Sequence, residues 1–134
     1  MIVADTNLLV YLYVQGQRTT QAEAILKKDP TWAAPILWRS EFRNTLMQLV
    51  RHKDLLLDDA IEIVAEAEHW MAGREYSVVS YQVMKLAEQS NCTAYDCEFV
   101  SLAQELDVPL VTADRQILRA FSKRAISPDG FLKK

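Results

Sequence analysis

The chain has 134 residues, a length that suits one domain built on a single core. Half of the residues are hydrophobic, and the few glycines and prolines leave no segment that resembles a linker or a low-complexity tract. The 15 Lys and Arg against 18 Asp and Glu give a net charge of −3, which argues against a nucleic-acid binder that relies on bulk positive charge, unless bound cations reverse the local field. We therefore expect residues 1–134 to form one compact, helix-rich domain.

The sequence contains no clear targeting signal or cysteine motif. Cys92 and Cys97 have a spacing that matches neither a zinc site nor a redox motif, so we expect reduced thiols in the core of a cytoplasmic protein. The apolar stretch before Asp5 is too short for the core of a signal peptide. No apolar run has transmembrane length, so we expect no membrane association.

Strands alternate with helices in the first half of the chain. Short apolar runs predict buried strands at residues 2–4 and 32–34. Apolar residues that recur at helical spacing predict helices over residues 7–14, 20–28, 36–51 and 57–71.

The second half continues the alternation. Strands are predicted at residues 76–79, 108–112 and 124–126, and helices at residues 80–90, 93–106 and 114–121, with a loose basic tail after residue 126. Strands separated by helices indicate an α/β fold, with a short parallel sheet flanked by helices on both faces.

Two segments share one pattern, an apolar strand whose exit carries an aspartate. Asp5 follows the first strand, and Asp114 follows the strand that contains Leu110 and Val111. Parallel strands end at one edge of a sheet, where α/β proteins bind ligands, so both carboxylates are expected there. Each aspartate alone is equally well explained as the N-cap of the next helix, but the recurrence of the pattern favours a site.

Asp96 also has a structural explanation. Thr93 and Asp96 form the pattern of a capping box at the start of a helix. Asp96 nevertheless flanks the face that we expect to be buried, which includes Tyr95, whereas Ser101 is expected on the exposed face. A half-buried carboxylate needs a partner, and no basic residue lies one helical turn away.

Glu41 is the fourth candidate. It lies beside the apolar stripe of its predicted helix rather than opposite to it. Arg39, Ser40 or Arg43 could satisfy the carboxylate locally, so Glu41 alone indicates little.

Four converging carboxylates would need a cation or protons, because like charges at short distance disfavour joint ionisation. The two histidines and two cysteines are scattered, which argues against zinc. An all-oxygen site suits Mg²⁺ or Mn²⁺, which nucleases and phosphatases use to activate water and to stabilise the phosphate charge. The sequence has neither a glycine-rich phosphate loop nor a nucleophile elbow that would indicate another chemistry.

These segments resemble a known family. Asp5-Thr6-Asn7 after an N-terminal strand looks like the opening of PIN-domain nucleases. The segments Leu37–Asn44, Thr93–Asp96 and Leu110–Asp114 match the family's second, third and fourth acidic motifs, and the first of these three resembles the VapC-like toxin branch. No single motif is specific, but the ordered set covers nearly the whole chain.

The resemblance implies an α/β/α sandwich on a short parallel sheet and a nuclease that depends on Mg²⁺ or Mn²⁺. Such an enzyme cleaves RNA and leaves 5′-phosphate and 3′-hydroxyl ends. The family's acids correspond here to Asp5, Glu41, Asp96 and Asp114, with Thr112 as a supporting residue. Asn7 and Arg115 are further secondary candidates, Arg115 as a phosphate clamp because it directly follows Asp114.

The resemblance also implies partners. VapC-like proteins are usually dimers that a cognate antitoxin holds inactive, with the antitoxin's C-terminal segment in the groove. An RNA substrate, an antitoxin and a homodimer are therefore expected. Gln116 and Ile117 stand where an additional acid can follow the fourth, which puts a second metal site in doubt.

Two other functions stay open at this point. One is another Mg²⁺-dependent phosphoryl-transfer enzyme, but the chain lacks a close pair of aspartates at Asp5 and has no lysine after the late strand before Lys123. The other is a non-catalytic module that binds proteins with the same fold. Unpaired acids argue against it, because a scaffold without catalysis does not need them.

Overall fold

The computed structural model describes residues 1–134 and shows five strands and eight helices. The strands are β1 (Ile2–Ala4), β2 (Trp32–Pro35), β3 (Glu75–Tyr76), β4 (Leu110–Val111) and β5 (Ala125–Ile126). The helices are α1 (Thr6–Tyr13), α2 (Thr19–Lys28), α3 (Trp38–Arg51), α4 (Leu57–Met71), α5 (Ser80–Glu88), α6 (Ala94–Leu106), α7 (Arg115–Ala120) and α8 (Pro128–Lys133).

All strands are parallel, in the order β3-β2-β1-β4-β5. The central strand β1 pairs with β2, where Ile2 lies opposite Trp32, and with β4, where Val3 lies opposite Leu110. Helices α1–α4 pack against one another and α5 packs against α6. The general rule that parallel crossovers are right-handed puts α1–α4 on one face of the sheet and α5–α7 on the other. The predicted α/β fold, with helices on both faces of a short parallel sheet, is confirmed.

The core lies on both faces of the central strands. Every residue of β1, β2 and β4 is buried, as expected for a parallel sheet covered on both sides. Helix α6 packs across these strands with α5 against it. On the other face, Trp38 and Phe42 of α3 pack edge to face, with ring centroids 5.3 Å apart, and Phe42 also meets Tyr13 of α1.

Helix α6 departs from the predicted pattern of exposure. Tyr95, expected on the buried face, is 62% exposed. Ser101, expected to face solvent, is 5% exposed. Since α6 is covered by the sheet and also by α5, its buried stripe is wider than one-sided packing would give.

The loose basic tail predicted after residue 126 is wrong. Residues Pro128–Lys133 form α8, and the Ser127 hydroxyl accepts a hydrogen bond from the Gly130 amide at 3.0 Å. The helix packs on α2, and Lys28 Nζ donates to the carbonyl oxygen of Phe131 at 2.5 Å. A serine N-cap followed by proline at the first helical position was the available signal.

Other predictions differ only at their boundaries or hold. The third strand is Glu75–Tyr76 rather than residues 76–79, and the fourth is confined to Leu110–Val111 because Pro109 has no amide hydrogen to donate. Cys92 and Cys97 are buried free thiols, as expected. None of the helices combines the length and the apolar character needed to cross a membrane.

Candidate functional site

The predicted acids meet at the carboxyl ends of the strands. In a parallel α/β sheet the helices run back against the strands, so their N-termini lie at this edge, and here the strand order reverses between β1 and β4. Asp5 and Asp114 are the N-caps of α1 and α7, while Glu41 and Asp96 lie in the first turns of α3 and α6. Together they line a cleft of about 260 Å³ that has no apolar lining residue: Asp5, Thr6, Asn7, Glu41, Asn44, Thr45, Gln48, Asp96 and Asp114.

Thr112 connects the two strand-exit aspartates. Its hydroxyl donates a hydrogen bond to Asp5 Oδ2 at 2.5 Å and accepts one from the Asp114 amide at 3.1 Å. Thr112 is 1% exposed, so this hydroxyl has a fixed position in the core beneath the cleft. It therefore holds Asp5 and the start of α7 at a set separation.

A second buried threonine holds Glu41. The hydroxyl of Thr6, which is 4% exposed, donates to Glu41 Oε1 at 2.7 Å. Arg39 was one of the local partners proposed for Glu41 from sequence. This prediction is wrong, because the Arg39 guanidinium pairs with Glu75 at 2.6 Å. Thr6 was not assigned a role from sequence, since its partner lies 35 residues away and only the fold brings them together.

The structure also confirms the capping roles of Asp96 and Asp114. Asp96 Oδ2 accepts from the Thr93 amide at 3.3 Å, and the Thr93 hydroxyl accepts from the Asp96 amide at 3.0 Å. Asp114 Oδ1 accepts from the amides of Gln116 and Ile117 at 2.9 and 3.1 Å. Each cap uses one carboxylate oxygen, so the other oxygen of each aspartate is free to bind a ligand in the cleft.

Burial and neighbouring charge make the cleft unfavourable for anions. Burial raises the pKa of Asp5, and the charges of Asp114 and Asp96 raise it further, against the lowering effect of the Thr112 hydrogen bond. Burial likewise raises the pKa of Glu41, with Asp5 and Asp96 adding to the effect and the Thr6 hydrogen bond opposing it. The carboxylates therefore repel one another electrostatically across the cleft, as like charges in one site do.

The chemistry of the lining side chains fits a hard divalent cation. All charged lining groups are carboxylates, and no histidine or cysteine is among them. In the metal-free arrangement, however, no group of three or more His, Cys, Asp or Glu side chains is placed to hold a metal ion.

The secondary candidates separate into two groups. Asn7 and Thr112 belong to the cleft or its support, whereas Arg115 is exposed on α7 and does not line the cleft. Sequence reasoning missed Thr45 and Gln48, which lie on the cleft side of α3. Their spacing from Glu41, four and seven residues along a helix, was the signal that could have found them.

Comparison with known proteins agrees with this architecture. A family model described as "PIN domain" matches residues 2–123. The chain belongs to the PIN-domain family. It is 30% identical to Ribonuclease VapC3 of Pyrobaculum aerophilum over 125 residues, which cover 90% of this chain and 94% of that relative.

Solved structures show the same PIN-domain fold. The crystal structure of PAE2754 from Pyrobaculum aerophilum superposes with a TM-score of 0.78 at 20% identity, covering 98% of this chain and 86% of that one. A toxin-antitoxin complex from Klebsiella pneumoniae gives a TM-score of 0.72 at 15% identity, covering 96% and 98%. FitAcB from Neisseria gonorrhoeae gives 0.72 at 16% identity, also covering 96% and 98%.

Proposed function

We propose that this PIN-domain chain is an endoribonuclease that uses Mg²⁺ or Mn²⁺, held by Asp5, Glu41, Asp96 and Asp114, to hydrolyse RNA phosphodiesters. The observation that carries the proposal is the convergence of these carboxylates, from four different helix starts, on one wholly polar cleft. The relative named as a ribonuclease supports RNA as the substrate.

The carboxylates divide the work according to their surroundings. Asp96 and Asp114 keep one oxygen on backbone amides, so their free oxygens serve as fixed ligands. Burial raises the pKa values of Asp5 and Glu41, so a carboxylate oxygen of this pair that does not bind the cation is suited to accept a proton from the attacking water. When bound, a divalent cation supplies the positive charge that activates water and offsets the charge that builds up on the phosphate.

The two threonines act as positioning residues. Thr112 orients Asp5, and Thr6 orients Glu41, in the way that outer hydrogen-bond partners commonly orient metal ligands. Because both hydroxyls are buried, they can hold the carboxylates in place when a substrate displaces water from the cleft.

We further propose that the chain is the toxin of a toxin–antitoxin pair, that it forms a homodimer and that it acts in the cytoplasm. The toxin-antitoxin complex among the structural neighbours supports a protein partner, and a basic residue of that partner would be attracted by the acidic cleft. Exposed apolar side chains support protein contacts as well, among them Tyr81, Met84 and Ile61, which are 66%, 68% and 57% exposed.

The test is cleavage of labelled RNA by the purified chain in EDTA and after addition of Mg²⁺ or Mn²⁺. Activity should require the cation, and Asp5→Asn should lower it more than about 100-fold, because loss of a ligand costs more than loss of a ligand's partner. Asp58→Asn is the matched control, since Asp58 is an exposed acid on α4 outside the cleft. Full activity in excess chelator would reject the metal mechanism.

The same experiment separates the alternatives. Metal-dependent hydrolysis of a phosphomonoester but not of RNA would identify another phosphoryl-transfer enzyme. No hydrolysis of either, in a chain that still binds a protein partner, would identify a non-catalytic module. Expression of the wild-type chain, but not of Asp5→Asn, should arrest cell growth if the chain is a toxin.

A further inference from the structure

One wall of the cleft carries no charge. Beyond Glu41, the cleft side of α3 presents Asn44, Thr45 and Gln48, which we call the α3 ridge. Asn44 and Gln48 lie one turn apart, and the wall from Glu41 to Gln48 extends about 10 Å along the helix, longer than the rise of one nucleotide. The ridge therefore leads away from the carboxylates along a path that a polynucleotide strand can follow.

The ridge side chains are not used by the fold. All side-chain hydrogen bonds of α3 are made in its first two turns, and none by the ridge. Asn44 and Gln48 are exposed, while Thr45 is half-buried between them. Their amide and hydroxyl groups are available to a ligand in the cleft.

Neutral groups suit this position electrostatically. A lysine or arginine on this wall would be attracted by the carboxylates, which the Coulomb interaction favours at short distance, and it would compete with the cation. Amides donate hydrogen bonds without carrying a charge, so they can bind a strand while the acids bind the cation. No Lys or Arg lines the cleft.

The chemistry of the ridge matches ribose. A 2′-hydroxyl both donates and accepts hydrogen bonds, and so do an amide side chain and a threonine hydroxyl. The 2′-hydroxyl is the group by which proteins distinguish RNA from DNA. A deoxyribose strand on the ridge would leave these side chains without a partner.

We propose that the α3 ridge is a subsite for the RNA strand next to the cleaved phosphodiester, where Asn44 and Gln48 bind 2′-hydroxyl groups and thereby select RNA over DNA. This inference rests on the proposed ribonuclease function and assigns the substrate selectivity to residues outside the carboxylate set.

The test measures binding and cleavage separately. Fluorescence anisotropy gives the Kd of the full chain for three labelled single-stranded pools of random sequence: RNA, DNA and 2′-O-methyl RNA. Ca²⁺ is used as the cation, since it accepts the same oxygen ligands. The variants are the double substitution Asn44→Ala with Gln48→Ala and, as a control, Gln104→Ala, an exposed glutamine on α6 outside the cleft.

The wild type and Gln104→Ala should bind RNA more tightly than DNA or 2′-O-methyl RNA. The double variant should bind RNA roughly 5- to 150-fold more weakly, with DNA affinity changed less than about 2-fold, as expected for two lost hydrogen bonds. The slope of log Kd against log salt should not change, because no counterion-releasing cation has been removed.

Three results would overturn the subsite: no preference of the wild type for RNA, an equal loss for RNA and DNA in the double variant, or the same loss in Gln104→Ala. The failure of the proposed function looks different. If the wild type cleaves no RNA with Mg²⁺ or Mn²⁺ but shows the predicted binding pattern, the ridge binds RNA and the nuclease proposal is rejected.

Discussion

The acidic cleft contains two kinds of carboxylate. Asp96 and Asp114 accept hydrogen bonds from backbone amides at the starts of α6 and α7, so each contributes to the stability of its own helix. Asp5 and Glu41 cap nothing with their side chains; buried threonine hydroxyls hold them instead, and burial raises the pKa of both. Asp96 and Asp114 stabilise two helix N-termini, whereas the negative charges of Asp5 and Glu41 are held in the folded state at a cost in stability.

This difference shows that structural and functional roles are not exclusive. A carboxylate that caps a helix keeps a free oxygen, and a helix N-terminus favours its negative charge. A carboxylate buried without a cap is harder to explain by folding alone. Asp5 and Glu41 therefore indicate a functional site more strongly than Asp96 and Asp114 do. The two pairs should also differ in how their substitution affects activity and stability.

The largest effect is expected on RNA cleavage when Asp5 loses the hydroxyl of Thr112 that holds it. Thr112→Val removes the hydroxyl that donates to Asp5 and accepts from the Asp114 amide, and it nearly preserves the side-chain shape. Metal-dependent RNA cleavage should therefore fall about 10- to 100-fold. Steady-state cleavage rates and circular dichroism melts measure the two consequences separately. Thr93→Val is the matched control, because it removes a capping hydroxyl and leaves Asp5 supported. An equal loss of activity in both would show that the supports are not distinct.

A smaller effect, on stability, is expected for Asp96 and Asp114, the two carboxylates that cap helices. Asp114→Ala removes the acceptor for two amides and should lower the free energy of unfolding by about 0.5–2 kcal/mol in EDTA. Asp114→Asn should lose much less, because asparagine is also a good N-cap. Thermal or urea unfolding distinguishes these variants. If both lose the same amount, charge rather than capping determines the contribution of Asp114.

The smallest effect is expected on the melting temperature when Glu41, which caps no helix with its side chain, loses its charge. Glu41→Gln keeps an acceptor for Thr6 and removes a half-buried anion, so in EDTA at neutral pH it should melt about 1–4 °C above the wild type. The raised pKa of Glu41 means that the folded state binds its proton more readily than the unfolded state. The wild type should therefore gain stability as pH falls through that raised pKa, and the difference from Glu41→Gln should shrink.

Melts across this pH range, with Glu62→Gln on the exposed face of α4 as control, check the prediction. A Glu41→Gln variant that melts below the wild type at neutral pH would contradict the idea that this carboxylate is held at a cost. Added Mg²⁺ should stabilise the wild type more than the variant, because stabilisation by a ligand follows its affinity for the native state.

The sequence predicts the positions of Asp5 and Asp114 for the same reason, although only Asp114 caps a helix with its side chain. Asp5 and Asp114 follow apolar strands directly, and parallel strands end at one edge, so local pattern and fold class together place them. Thr6 could not be assigned in this way, because its partner Glu41 lies 35 residues away and only the fold brings the two side chains together. The predicted exposure of side chains failed where packing on two sides decided it, as in the wide buried stripe of α6.

The position of β1 has a consequence for biosynthesis. The N-terminal strand β1 lies in the middle of the sheet. The hydrogen bond from Thr112 to Asp5 can form only after 107 further residues have been synthesised. At ribosomal speeds of roughly 5–20 residues per second, the nascent chain spends about 5–20 s with one edge of β1 unpaired and the cleft lacking Asp96 and Asp114. The cleft therefore cannot assemble while most of the message is still being translated.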